Sequence, residues 1–148
     1  MQYWLFKSEP FKFSWDDLIA AKDEPWDGIR NYQARNFMRQ MQVGDRGFFY
    51  HSNEGLEVVG LVEVTKRTYP DHTFTPKENA KGELVNPWEM VNLKPLVPVV
   101  NTVKLADVKA NPKLQDMALV TSMRLSVQPV KPEEWAEILR MANTPDPK

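Results

Sequence analysis

The stretch Arg30-Asn31-Tyr32-Gln33-Ala34-Arg35-Asn36 packs cations, amides and an aromatic ring into a few residues. At a helix start, Arg30 and Arg35 would stand beside free backbone N–H groups and the positive end of the helix dipole, a seat for phosphate. A solvated amphipathic face capped by Asn31 explains the same residues equally well. Phe48-Phe49-Tyr50-His51-Ser52-Asn53 is a second candidate. In a strand, Phe49, His51 and Asn53 point one way and Phe48, Tyr50 and Ser52 the other. Such a strand end supplies the donors and acceptors that read the edge of a base. The competing reading makes the aromatics core and leaves Asn53 to form the turn.

Of the tryptophans, Trp15 and Trp135 fall at helical packing positions, and Trp88, after Asn86-Pro87, suits either role. Trp26 lies in a Pro25-Trp26-Asp27-Gly28 turn, where an exposed stacking platform is expected. A base stacked on such a ring gains about 1–3 kcal/mol. Arg124, in Ser122–Pro129, either pairs with a buried acid or reaches a phosphate.

Residues for covalent chemistry are sparse. His51 and His72 stand apart with no carboxylates at ligand spacing, so no metal site is expected. Neither a phosphate loop nor a dinucleotide fingerprint is present, and no cofactor is expected. Ser8 or Ser52 with His51 and an aspartate makes a triad only on paper, because no nucleophile elbow accompanies it. A non-catalytic protein is expected.

The elements that must position these residues follow from pattern. Tyr3–Lys7 reads as a strand, and Ser14 with Asp17 starts a short helix running to about Ala21. Ala34, Phe37, Met38 and Met41 form one helical stripe, with Asn31 as cap and Val43-Gly44-Asp45 as the end. Arg46–Ser52 and Leu56–Lys66 read as strands about an Asn53-Glu54-Gly55 turn, with Gly60 at a bulge or barrel corner. Trp88–Leu93 and Leu96–Thr102 follow, confined to edges or bulges by Pro95 and Pro98. Leu105–Ala110 and Lys113–Met117 read as helical turns, Leu119–Ser122 and Leu125–Val130 as extended chain. A closing helix starts at Pro132. The sum is an α+β fold, a mostly antiparallel barrel-like sheet with short peripheral helices.

The 148 residues suit one domain, expected over 1–142, with a frayed tail at 143–148. Cysteine is absent, which removes disulfides and thiolate metal sites. No run approaches the ~20 apolar residues of a membrane span, and no secretory signal is visible, so a soluble, cytoplasmic monomer is expected. The net charge of −1 argues against a general coater of nucleic acid, which would be basic.

Several segments together carry a family resemblance. They are Tyr3–Pro10, Phe13–Leu18, Trp26–Asn36, Phe48–Asn53, Tyr69–Thr73 and Arg124–Val130. In this order and spacing they resemble the EVE domain family, from about Tyr3 to Trp135. The resemblance implies a PUA-like fold, whose YTH and SRA-type members hold modified bases in a cage. It further implies a reader of one flipped or unpaired modified base in DNA or RNA, with 5-methylcytosine-type marks among the candidates. Carried over residue by residue, Ser8, Trp26, Asn31, Tyr32, His51, Ser52 and Asn53 would form the base pocket. Lys7, Arg30, Arg35 and Arg124 would contact phosphate. Two other readings stay open: a binder of structured RNA such as tRNA or rRNA, and a nucleobase sensor or enzyme using His51.

Overall fold

The computed structural model describes residues 1–147. Its frame is a six-stranded sheet in the order β2-β7-β4-β3-β1-β8. These strands are β1 (Tyr3–Ser8), β2 (Glu24–Trp26), β3 (Arg46–His51), β4 (Glu57–Pro70), β7 (Glu89–Lys104) and β8 (Val127–Val130). The small strands β5 (Lys77–Glu78) and β6 (Leu84–Val85) pair only with each other. β1 runs parallel to β3, from Tyr3 beside Arg46 to Ser8 beside His51, whereas the other pairings are antiparallel.

Both faces of the sheet are covered. On one side Trp4, Phe6, Phe49, Val62 and Val91 pack against α1 (Trp15–Ala21) and α2 (Tyr32–Arg39). On the other, Leu5, Phe48, Tyr50 and Leu61 pack against α3 (Leu105–Ala110), α4 (Ala118–Thr121) and α5 (Pro132–Met141). Phe48, Phe49 and Tyr50 are therefore all core, because β3 lies inside a sheet buried on both faces. The expected alternation is present, but it divides two cores rather than core from solvent.

Gly60 shows why α1 sits where it does. A Cβ built there would stand 2.4 Å from the Trp15 ring, so only glycine admits this approach. The register of β4 against β7 also shifts between Val58 and Gly60, at the expected bulge. Ser14 and Asp17 close a reciprocal capping box that starts α1 beside this contact.

The sheet does not close into a barrel, which corrects the sequence expectation. β2 spans three residues and ends as one edge, and β8 forms the other. Helix α2 packs on β4, β7 and β8, and no ladder joins β2 to β8 among the described residues. The structure is thus mixed α+β, mostly strands with a few short helices.

Smaller differences follow from pairing that local pattern does not contain. The Pro25-Trp26 turn is a strand, with Trp26 opposite Val91. Leu119–Ser122 is mostly helix, not extended chain. The two strands expected around Pro95 are one, β7, and beyond Leu93 its β2 side is unpaired, which is where both prolines fall. In the stretch expected to fray, Thr144 is buried, its hydroxyl accepts from the Val100 N–H, and Asp146 pairs with Arg46 at 3.2 Å.

Candidate functional site

The parallel strands β1 and β3 end side by side, and the loops leaving their carboxyl ends diverge over a cleft of about 810 Å³. A crevice at the carboxyl ends of parallel strands is a recurrent place for ligands, and this volume falls in the usual range of about 300–1,000 Å³. The cleft brings together Lys7, Ser8, Trp26, Ser52, Asn53 and Arg124 from the sequence candidates. Asn31, Tyr32, His51, Arg30 and Arg35 do not line it.

Trp26 is not an exposed platform: only 8% of its surface is accessible. Phe6, Phe13 and Phe49 meet its ring edge-on, at centroid separations of 6.0, 6.0 and 5.8 Å, and fix its orientation. The indole is a rigid wall, with the cleft on its remaining side. Phe13 reaches the site through a tight loop in which the N–H groups of Lys12 and Phe13 both donate to the Glu9 carbonyl at 2.9 Å. The Ser8 hydroxyl donates to the Phe13 carbonyl and holds this loop down. Its one hydrogen is thereby used, so toward a ligand Ser8 can only accept.

Opposite, the Ser52 N–H donates to the Ser8 carbonyl at 2.9 Å, and the chain turns through Asn53 at φ +66°. Asparagine tolerates this left-handed conformation better than most residues. At the mouth, Lys7 donates its ammonium to the Met123 carbonyl, and Gln128 Nε2 donates to the Ser122 and Leu125 carbonyls at 3.0 and 2.9 Å. These bonds hold the loop that carries Arg124. Arg124 itself is exposed and makes no ion pair among the described residues.

Burial lowers the Lys7 ammonium from its ordinary pKa. Tyr50, at the cleft floor, is pushed up to about 12 by burial and then by Glu57, so it stays a neutral phenol. The acids Glu9, Glu24 and Asp27 balance Lys7, Lys12 and Arg124 around the opening, with Lys12 3.4 Å from Glu9.

The remaining candidates lie elsewhere. Asn31 caps α2, accepting from the Ala34 N–H at 2.9 Å. Arg30 pairs at 3.0 Å with Asp71, a fully buried carboxylate. Burial opposes the charge on Asp71, but hydrogen bonds from the Thr73 side chain, the Gly28 N–H, Arg30 and the Thr73 N–H hold its pKa at about 2. Gly28 reaches this bond at φ +78°, where a side chain would be strained. Arg35 donates to the Pro87 carbonyl at 3.0 Å and lies 4.8 Å from the centre of the Tyr32 ring, which packs on Trp88 at 4.7 Å.

His51 is occupied differently. Its Nε2 accepts the Trp15 N–H at 3.1 Å, satisfying a donor at the open start of α1. Burial lowers its pKa, only partly opposed by Glu57 and Asp16, so the acceptor form is favoured. Sequence reasoning missed Lys12, Phe13, Glu24 and Asp27 as cleft residues. Glu24 carried a signal, since it falls two residues from Trp26 and shares its face once the segment is read as a strand. Phe13 carried none, because only the folded Glu9–Phe13 loop brings it there. No group of His, Asp or Glu that could hold a metal occurs among the described residues, and no helix there is long and apolar enough to cross a membrane.

The model of the EVE domain family matches residues 2–141. Thymocyte nuclear protein 1 of Danio rerio is 41% identical to the chain, the match covering 95% of the chain and 71% of that protein. Among solved structures, a protein from Agrobacterium tumefaciens superposes with a TM-score of 0.89 at 54% identity, over 99% of this chain and 97% of that one. The human THYN1 protein, crystallised in complex with 5-methylcytosine containing DNA, superposes with a TM-score of 0.87 at 34% identity, over 99% of this chain and 100% of that one.

Proposed function

Because the chain belongs to the EVE domain family, we propose that it binds nucleic acid and holds one unpaired or extruded base in the cleft, favouring a modified base such as 5-methylcytosine. The observation that carries this reading is the likeness, over nearly the whole chain, to a protein crystallised with 5-methylcytosine containing DNA. The cleft suits the task. Trp26 and Phe13 offer fixed aromatic surface, Ser52 and Asn53 offer polar groups, and Arg124 stands exposed at the mouth. Drawing a base out of a duplex costs a few kcal/mol. Stacking worth about 1–3 kcal/mol and net hydrogen bonds worth about 1 kcal/mol each offset it.

The binding is non-catalytic. His51 stands outside the cleft lining with its Nε2 engaged by Trp15, which removes the most plausible general base. With a net charge of −1, the grip is local, on a base and a few phosphates, rather than along a backbone.

The test is a titration, by fluorescence anisotropy, of duplex and single-stranded oligonucleotides carrying 5-methylcytosine, cytosine or an abasic site at one position. The methylated strand should bind about fourfold more tightly than the unmodified one, the value of one buried methyl at ~0.8 kcal/mol. The abasic strand should bind most weakly. Equal binding of all strands would overturn the proposal, and tighter, steeply salt-dependent binding of a folded RNA would favour the RNA reading instead.

A further inference from the structure

The carboxylate of Glu24 has no role in holding the fold together. It lines the cleft, is half-buried, and has neither an ion pair nor a hydrogen bond among the described residues. The other cleft acids differ: Glu9 lies 3.4 Å from Lys12, and Asp27 is exposed. Glu24 and Trp26 occupy alternate positions of β2 and so share one face, roughly 6–7 Å apart along the strand. A planar ring lying against the Trp26 wall therefore presents an edge toward Glu24.

We propose that Glu24 selects the base by accepting a hydrogen bond from an exocyclic amino group, so that the cleft takes amino-bearing bases and rejects those with a carbonyl at that position. The proposal rests on the base-binding reading of the cleft and adds the chemical feature that is read. An ionised carboxylate is acceptor-only and matches the amino group of cytosine, whereas the O4 of thymine would place lone pairs against lone pairs. Burial, with repulsion from Asp27 and Asp23, raises the pKa of Glu24, so its charge lacks solvation that an incoming N–H donor restores.

Thymine and 5-methylcytosine make the discriminating pair, since both carry the 5-methyl group and they differ on the Watson–Crick edge. Single-stranded oligonucleotides with one or the other at a fixed position, plus an abasic strand, are titrated against the wild-type chain, Glu24→Gln and Asp27→Asn. The wild type should prefer 5-methylcytosine over thymine by about tenfold, the lower end of the discrimination one good base contact provides. Glu24→Gln, nearly isosteric and able to donate to O4, should reduce that ratio to within about threefold. Asp27→Asn removes the same charge and should leave the ratio intact while strengthening both strands alike. Thermal melts of both variants establish that they are folded. Equal wild-type affinity for thymine and 5-methylcytosine, both above the abasic strand, would overturn the role of Glu24 and leave base binding standing. Collapse of the ratio in Asp27→Asn as well would reduce the effect to charge and overturn it too. Binding of all three strands alike would remove base binding itself.

Discussion

At the start of α2, Arg30 gives its charge to Asp71, Asn31 gives its side-chain oxygen to Ala34, and Arg35 donates to the Pro87 carbonyl. At the cleft, Arg124, Asn53 and Glu24 face the opening, and among the described residues their side chains have no such partners. The two regions use the same residue types, and both follow the features from which a phosphate or base site is expected. What separates them is saturation. Groups satisfied inside the protein fix geometry, and groups left unpaired on a rigid wall are available to a ligand. Helix α2 thus braces the open sheet, and the cleft is the part left open to the proposed ligand.

The largest expected effect tests the bracing half of this contrast. Asp71→Ala removes the acceptor for Gly28, Thr73 and Arg30 at once and breaks the link between the β2–α2 loop and the Asp71–Thr73 turn. Urea denaturation should show a loss of about 3 kcal/mol, about 1 kcal/mol for each of the hydrogen bonds from Gly28, Thr73 and Arg30 that is lost. DNA affinity of the folded fraction should be unchanged. Unaltered stability with lost binding would place the α2 surface in the binding machinery and reverse the assignment.

Arg124→Ala and Arg35→Ala form the next test. Arg124 is exposed and makes no ion pair among the described residues, so its removal should change stability by less than about 0.5 kcal/mol. It should weaken DNA binding about tenfold and lower the slope of log affinity against log salt by about 1, as for one lost phosphate contact. Arg35→Ala should leave both the affinity and the salt slope near wild type. The opposite pattern, with Arg35 carrying the salt dependence, would move the phosphate contact to the helix.

Much of this arrangement was legible in the sequence, and the failures share one cause. The caps at Ser14 and Asn31, the stripe of Ala34, Met38 and Met41, and the bulge at Gly60 depend on neighbours in sequence or on residue shape, so local pattern finds them. Lys7, Ser8, Trp26, Ser52, Asn53 and Arg124 do line one cleft, a grouping that came from the family resemblance rather than from any spacing. Arg30 and Arg35 fall in with them on paper because a free cation and a neutralised one look alike in sequence. The neutraliser of Arg30, Asp71, stands 41 positions away. The open sheet escaped for the same reason: whether β2 pairs with β8 depends on how the two edges are set in space, which is a tertiary fact.

His51 gives the smallest of these effects and the one with a distinct pH signature. Its Nε2 can accept the Trp15 N–H only while unprotonated, and burial lowers its pKa below the ordinary 6.5. The unfolded chain therefore takes up a proton at a higher pH than the folded one. The contribution of His51 is complete above about pH 6.5 and is lost as pH falls through the lower, folded value. His51→Ala should cost about 1 kcal/mol at neutral pH, one net hydrogen bond, and should flatten stability against pH in the weakly acidic range. Asp71, with its pKa near 2, contributes a pH dependence only in stronger acid. Glu24, raised above its ordinary 4.5, acts with the opposite sign just above that value, so the readout is the difference between wild type and variant rather than either curve. Binding of 5-methylcytosine DNA at pH 7.5 should survive the substitution, because the imidazole fastens α1 and does not line the cleft. Loss of binding without loss of stability would return His51 to the pocket and favour the acid–base reading over its role in fastening α1.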